Sequence, residues 1–226
     1  MNELEIQIQK YYEDFKRDFN RGNFPAVFEL IDDHNSKDNL KKQEHFLGTF
    51  AIFYTPVRYK PEIMMIGNNP SWFDKDNGNK GYRIVKELMK SPPNDNSYLV
   101  HNHVYANRMQ DIFSRVGRID LLKNCVGMNR WWLQTGAENA SWNKACKAYS
   151  QNLNQSLYEY CETRTREIIS LIKPKVALLV GAKAQKLLPQ ETYLGVDIRH
   201  VSYPLGGGIT LLEQELREII KLSRVR

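Results

Sequence analysis

Two short segments of this chain carry residue types that could do chemistry. The first is Gly67-Asn68-Asn69-Pro70-Ser71. Gly67 lets the backbone turn tightly and approach a ligand, while Pro70 fixes its own φ and holds Asn69 extended. An amide side chain held in one geometry can position a water molecule, because it offers both an acceptor and a donor. The same Asn-Asn-Pro run is also ordinary turn chemistry. The second segment is Arg199-His200-Val201-Ser202-Tyr203-Pro204-Leu205-Gly206-Gly207-Gly208. It brings together an imidazole, a hydroxyl and three glycines ahead of a helix expected to begin near Ile209 or Thr210, and the exposed amides of such a turn can receive a phosphate. A lone histidine is also common as a satisfied strand-end residue, and a glycine triplet as a plain connector.

The elements that must position these loops follow from the apolar pattern. Four short apolar runs have the length and flanks of buried strands: Ile63–Ile66, Cys125–Met128, Val176–Val180 and Val196–Val201. Helical stretches are expected between and after them, at Arg83–Met89, Val104–Val116, Leu153–Ile172, Ala182–Leu188 and Leu211–Leu222. Strands alternating with helices imply crossovers and a parallel sheet covered on both faces, so the expected fold is a three-layer α/β/α sandwich around a four-stranded parallel sheet. In such a sheet a ligand lies beyond the carboxyl ends of the strands. Both candidate loops directly follow a strand and can therefore converge there.

The first fifty residues read as a helical extension. Leu4, Ile8, Tyr11, Phe15 and Phe19 recur at spacings of three and four, and a second helix is expected to open at Pro25 and carry Val27, Phe28, Leu30 and Ile31. The polar run from Asp32 to Glu44 reads as a linker or loop rather than a domain boundary. The whole chain, residues 1–226, is expected to form one domain, with residues 1–50 as the extension and 60–222 as the core.

Composition narrows the classes. No run of the sequence approaches the length of a membrane span, and the start lacks the pattern of a signal peptide, so a cytoplasmic protein is expected. Cys125, Cys146 and Cys161 are three in number and unevenly spaced, which argues for buried structural thiols over a zinc clip or a disulfide framework. No metal ligand set and no cofactor motif is found. The net charge of +6 and the pI near 9.1 suit a polyanionic partner.

With these residues in view, the chain resembles the uracil-DNA glycosylase superfamily over residues 60–222. That superfamily carries a Gly-x-(Asp/Asn/Ala)-Pro loop after the first core strand and a His-Pro-Ser loop after the last. Here the first loop, Ile66-Gly67-Asn68-Asn69-Pro70-Ser71, is similar to the Asn-bearing mismatch-specific and single-strand-selective branches, and the second reads His200-Val201-Ser202-Tyr203-Pro204. Between them, Cys161–Ile169 leads through Lys173-Pro174-Lys175 into Val176–Val180 and Gly181, an arrangement also similar to several branches. Two departures stand out. Val201 occupies the place of the usual proline, and three cysteines cannot supply the four ligands of the iron–sulfur branches.

The resemblance implies a DNA-repair enzyme that flips a base out of the stack and hydrolyses its glycosidic bond without a metal. By that resemblance Asn69 positions the attacking water, and His200 stabilises charge growing on the base oxygen. Asn129, at the end of the middle strand, is the counterpart of the asparagine that reads the base edge, ahead of Asn124. Phe73, ahead of Trp72, would stack on the flipped base. Ser71, Ser202, Tyr203, Gly206 and Gly207 would meet phosphates, Leu205 would be the wedge that fills the vacated space, and Arg199 and Arg130 would sit near the backbone. The implied partner is single-stranded or mismatched DNA, with uracil as the default base and the protein acting as a monomer. The same residues also suit a nucleotide- or DNA-binding protein that keeps this fold without the chemistry. A phosphate-handling hydrolase built on Gly206–Gly208 is a third reading, against which stands the lack of a Gly-x-x-x-x-Gly-Lys-Ser/Thr motif.

Overall fold

The computed structural model of the protein describes residues 2–36, 49–68, 88–102, 104–133, 140–204 and 208–224. The chain divides into two compact units, one formed by the described parts of Met1–Ile52, Asn69–Ser91 and Asn129–Leu171, the other by those of Phe53–Asn68, Pro92–Met128 and Ile172–Arg226.

The first unit is helical. Helix α1 (Glu3–Asp18) opens with a capping box in which the Asn2 side chain accepts from the Glu5 amide and the Glu5 carboxylate accepts from the Asn2 amide. Its buried stripe is Ile8, Tyr12 and Phe15, so Tyr12 takes the place expected for Tyr11. Helix α2 (Pro25–Ser36) has proline at its first position, where the missing N–H costs nothing. The helix runs on through Asp32–Ser36, which corrects the loop expected from Asp32 onward; Asp32 and Asp33 are both exposed, where a helix tolerates charge. Around Phe15 the rings of Phe50, Trp132 and Tyr160 lie at 4.7, 5.2 and 5.9 Å. Phe15, Trp132 and Tyr160 are almost wholly buried, so truncating any of them should cost about 3–5 kcal/mol.

The second unit is built on a five-stranded sheet of order β2-β1-β3-β5-β4: β1 (Ile63–Gly67), β2 (Val126–Asn129, whose last residue falls in the first unit), β3 (Val176–Val180), β4 (Thr192–Tyr193) and β5 (Val196–Val201). β3 pairs parallel with both β1 and β5. The four expected strands are present within a residue at each end, and β4 is the correction: a short antiparallel edge against β5. It forms because Leu194 and Gly195 both take positive φ, 48° and 82°, the backbone of a two-residue hairpin turn, although leucine rarely marks one.

The unit's helices are α3 (Ser97–Val100), α4 (Val104–Arg115), α5 (Ile119–Asn124) and α8 (Gly208–Arg224); α6 (Ala140–Lys147) and α7 (Leu157–Ile172) complete the first unit. Met65, Leu178, Val180 and Val201 on one sheet face join Ile112 and Phe113 of α4 and Leu212 and Leu216 of α8 in a single core. The helix expected at Ala182–Leu188 is instead one 3₁₀ turn, Ala184–Lys186, because the chain must leave β3 through Gly181 at φ +84° and return within a few residues. Tyr54 lies across Gly127, where any Cβ would come within 2.2 Å of the tyrosine ring, so only glycine fits. All three cysteines are buried, and burial pushes the thiols of Cys125 and Cys161 up to about 12. Among the described residues no helix is long and apolar enough to cross a membrane.

Candidate active site

The register of the sheet determines which loops meet. Ile66 of β1 pairs with Leu179 of β3, and Leu179 pairs with His200 of β5, so the three residues form one rung. With two inter-strand steps between them, the backbones of Ile66 and His200 stand roughly 10 Å apart. The strands are parallel, so Gly67-Asn68 and Ser202-Tyr203-Pro204 leave the sheet at the same edge and height, with Gly181 between them.

The second loop is held closely. The Gly181 amide donates to the Val201 carbonyl at 2.9 Å, and a Cβ on Gly181 would stand 3.3 Å from the Cβ of Tyr203. At the start of α8, a Cβ on Gly208 would lie 2.0 Å from the Tyr203 carbonyl oxygen. Glycine is therefore required at Gly208 for the helix to begin against this loop, one residue earlier than the sequence suggests. Arg108 of α4 donates from Nη1 to the Pro204 carbonyl at 3.2 Å.

His200 and Ser202 both have hydrogen-bond partners. His200 Nε2 lies 2.8 Å from the Leu188 carbonyl, and because a carbonyl can only accept, Nε2 carries the hydrogen. Alternation along β5 sets this ring on the face shared with Leu179, opposite Val201. The Ser202 amide donates to Glu215 Oε2 at 2.9 Å and its hydroxyl to Oε1 at 3.4 Å. A phosphate approaching Ser202 would thus meet a carboxylate of α8. Tyr203 is 42% exposed and stacks on Tyr105, with centroids 5.3 Å apart and planes 20° from parallel.

Behind that pair runs a line of phenols. The Tyr105 ring stands 5.8 Å from that of Tyr98, the Tyr98 hydroxyl donates to that of Tyr54 at 2.9 Å, and Tyr54 donates to the Met65 carbonyl at 3.3 Å. Burial raises the pKa of Tyr54, Tyr98 and Tyr105 above the usual range and keeps all three phenols neutral; burial also raises that of Tyr203, against the pull of Arg108.

In the first unit, Asn129 is 4% exposed and its Nδ2 donates to the Ala51 carbonyl at 3.0 Å. Arg130 is also buried, its Nε donating to Glu162 at 2.9 Å, with its guanidinium 5.3 Å from the Trp131 ring. It is an internal ion pair rather than the backbone contact expected from sequence, and Arg199 is likewise paired with Asp197, at 2.9 Å. Asn69, Ser71, Trp72, Phe73, Leu205, Gly206 and Gly207, and all of the expected Arg83–Met89 helix but its last two residues, lie outside the described residues.

Sequence reasoning missed Tyr105, Arg108 and Glu215. Tyr105 and Arg108 stand three apart on α4, a spacing that any amphipathic helix provides, and nothing local marks them as partners of a loop a hundred residues away.

No protein-family model matches this chain, and no curated protein is significantly similar to it.

The rim thus joins Gly67-Asn68 and His200–Pro204 at one edge through one rung, with Tyr203 exposed and the donors of His200 and Ser202 satisfied. The hydrogen on His200 Nε2 is held by a neutral carbonyl, a partner that an anion can outcompete.

Proposed function

We propose that the chain is a DNA-base glycosylase that hydrolyses the N-glycosidic bond of a deaminated or damaged base, uracil first, in single-stranded or mismatched DNA. The observation that carries this reading is the Ile66–Leu179–His200 rung, which brings the Gly67-Asn68 and His200–Pro204 loops to one edge of the parallel sheet. Both loops lie beyond the carboxyl ends of the parallel strands, the place where an open sheet of this kind receives a ligand.

In this scheme the bond from C1′ to the base nitrogen breaks and its electron pair leaves with the base. Water adds its hydroxyl to C1′, and its proton ends on the departing base. Asn69 is assigned to hold that water. His200 is assigned to exchange its Leu188 partner for the base oxygen, so that its hydrogen bond strengthens as charge develops. The reading carries with it the three-layer α/β/α sandwich, a cytoplasmic location and action as a monomer.

A second reading, DNA or nucleotide binding without catalysis, is favoured by specific contacts: His200 held by Leu188, Asn129 by Ala51, and both donors of Ser202 by Glu215. Single-turnover excision separates the two. Oligonucleotides with uracil, hypoxanthine or an alkylated base, single-stranded, paired and mismatched, are incubated with excess protein and chelator, then cleaved at abasic sites by alkali. Strand cleavage on any of them supports the glycosylase; tight binding with no abasic site on the whole panel supports the second reading.

A further inference from the structure

The Tyr203 ring has a position at the rim that no backbone phosphate contact requires. It is exposed, yet its freedom is removed from several sides. Tyr105 stacks against it, Gly181 has no Cβ to push it off, α8 begins against its carbonyl at Gly208, and Arg108 ties down the next residue, Pro204. Tyr105 in turn rests on Tyr98, which is buried and bonded to Tyr54. An aromatic ring that is both exposed and rigid costs little entropy when a flat partner covers it.

We propose that Tyr203, backed by Tyr105 and flanked by the Arg108 guanidinium, is a stacking platform for an unpaired nucleobase next to the nucleotide being excised. The inference rests on the glycosylase reading for the identity of the strand, and adds to it the residues that hold a neighbouring base. Every base has a π-face, so such a platform grips single strands without reading sequence. Arg108, whose guanidinium bonds the carbonyl of the adjacent Pro204, matches the phosphate that accompanies each base, and the net charge of +6 has the same sign. A stacked base also explains why an aromatic residue is placed here rather than a lysine, which would serve a phosphate better.

The test uses the full chain and a uracil-free single strand carrying one 2-aminopurine, whose fluorescence is quenched when it stacks. Affinity is read from anisotropy and stacking from quenching, for the parent and for Tyr203→Phe, Tyr203→Leu and Tyr203→Ala. The phenylalanine variant keeps the ring and should match the parent. The alanine variant should bind roughly 5- to 150-fold more weakly, with quenching lost. Leucine keeps apolar bulk without a π-face and should behave like alanine, and its similar volume guards against a loop that rearranges around a void. A leucine or alanine variant that binds and quenches like the parent overturns the platform. Excision of uracil by the same proteins separates the two proposals: excision with Tyr203-independent binding removes the platform alone, while Tyr203-dependent binding and quenching without excision on any base removes the catalysis alone.

Discussion

Gly208→Ala tests how tightly the rim is built. In a helix, alanine in place of glycine ordinarily gains about 0.5–1 kcal/mol. Here the added Cβ would meet the Tyr203 carbonyl oxygen at 2.0 Å, and the carbonyl carbon at 3.2 Å. Ordinary contact between a carbon and an oxygen needs more than about 3 Å, so either α8 or the loop must move by roughly 1 Å. The obstructing atom is backbone, which no rotamer change can relieve, so overpacking should cost about 1–3 kcal/mol and outweigh the propensity gain. A net loss near 1–2 kcal/mol lowers the melting temperature by about 2–8 °C in a chain of this size. The functional effect should be larger. Moving Tyr203 by 1 Å also shifts Ser202 and the end of β5, and misplacement on that scale costs on the order of 100-fold in rate. Thermal melting, strand affinity and single-turnover excision are measured on Gly208→Ala beside Gly22→Ala, where the nearest atom to the new Cβ is the tip of the Asn20 side chain at 3.3 Å. A Gly208→Ala protein as stable and as tight in DNA binding as the parent would refute the close approach and the rigidity inferred from it.

Other outcomes follow from the same geometry. His200→Ala should slow excision by about 2.7–4 kcal/mol of barrier while leaving strand affinity nearly intact, because its donor acts mainly in the transition state; an unchanged single-turnover rate takes His200 out of the mechanism. Asn69→Asp should speed uracil excision about five- to thirty-fold at neutral pH, since a carboxylate opposes the positive charge on the sugar, and the gain should fade as falling pH protonates it. Asn69→Ala should be nearly inactive at all pH values, and a rate equal to the parent's would count against the assignment. Glu215→Gln should weaken the hold on Ser202 by about 1 kcal/mol, the difference between a charged and a neutral acceptor. If a phosphate passes Ser202, the same change should tighten strand binding at low salt, measured by anisotropy; equal affinity at all salt concentrations would mean that no phosphate passes there.

Much of the frame is legible in the sequence. Val176–Val180 is a continuous apolar run closed by glycine, the mark of a strand buried on both faces, and it forms β3 with the same limits. Ile63–Ile66 and Val196–Val201 were equally readable, as was Pro25 as the start of a helix. Periodicity falters where adjacent residues are alike: Tyr11 and Tyr12 both extend an apolar stripe, and only packing selects Tyr12. It is silent on β4, whose turn depends on Leu194 adopting a backbone that leucine rarely takes.

The types of the candidate residues are a property of the sequence; their partners are not. His200 bonds a carbonyl twelve residues away, Ser202 a carboxylate thirteen away and Asn129 a carbonyl 78 away. Hydrophobic periodicity is a local signal, so it determines which segments become strands and helices. Strand register, and with it the rung that aligns Ile66 with His200, is decided by burying a whole sheet face at once, and that choice exists only when all the segments are present together.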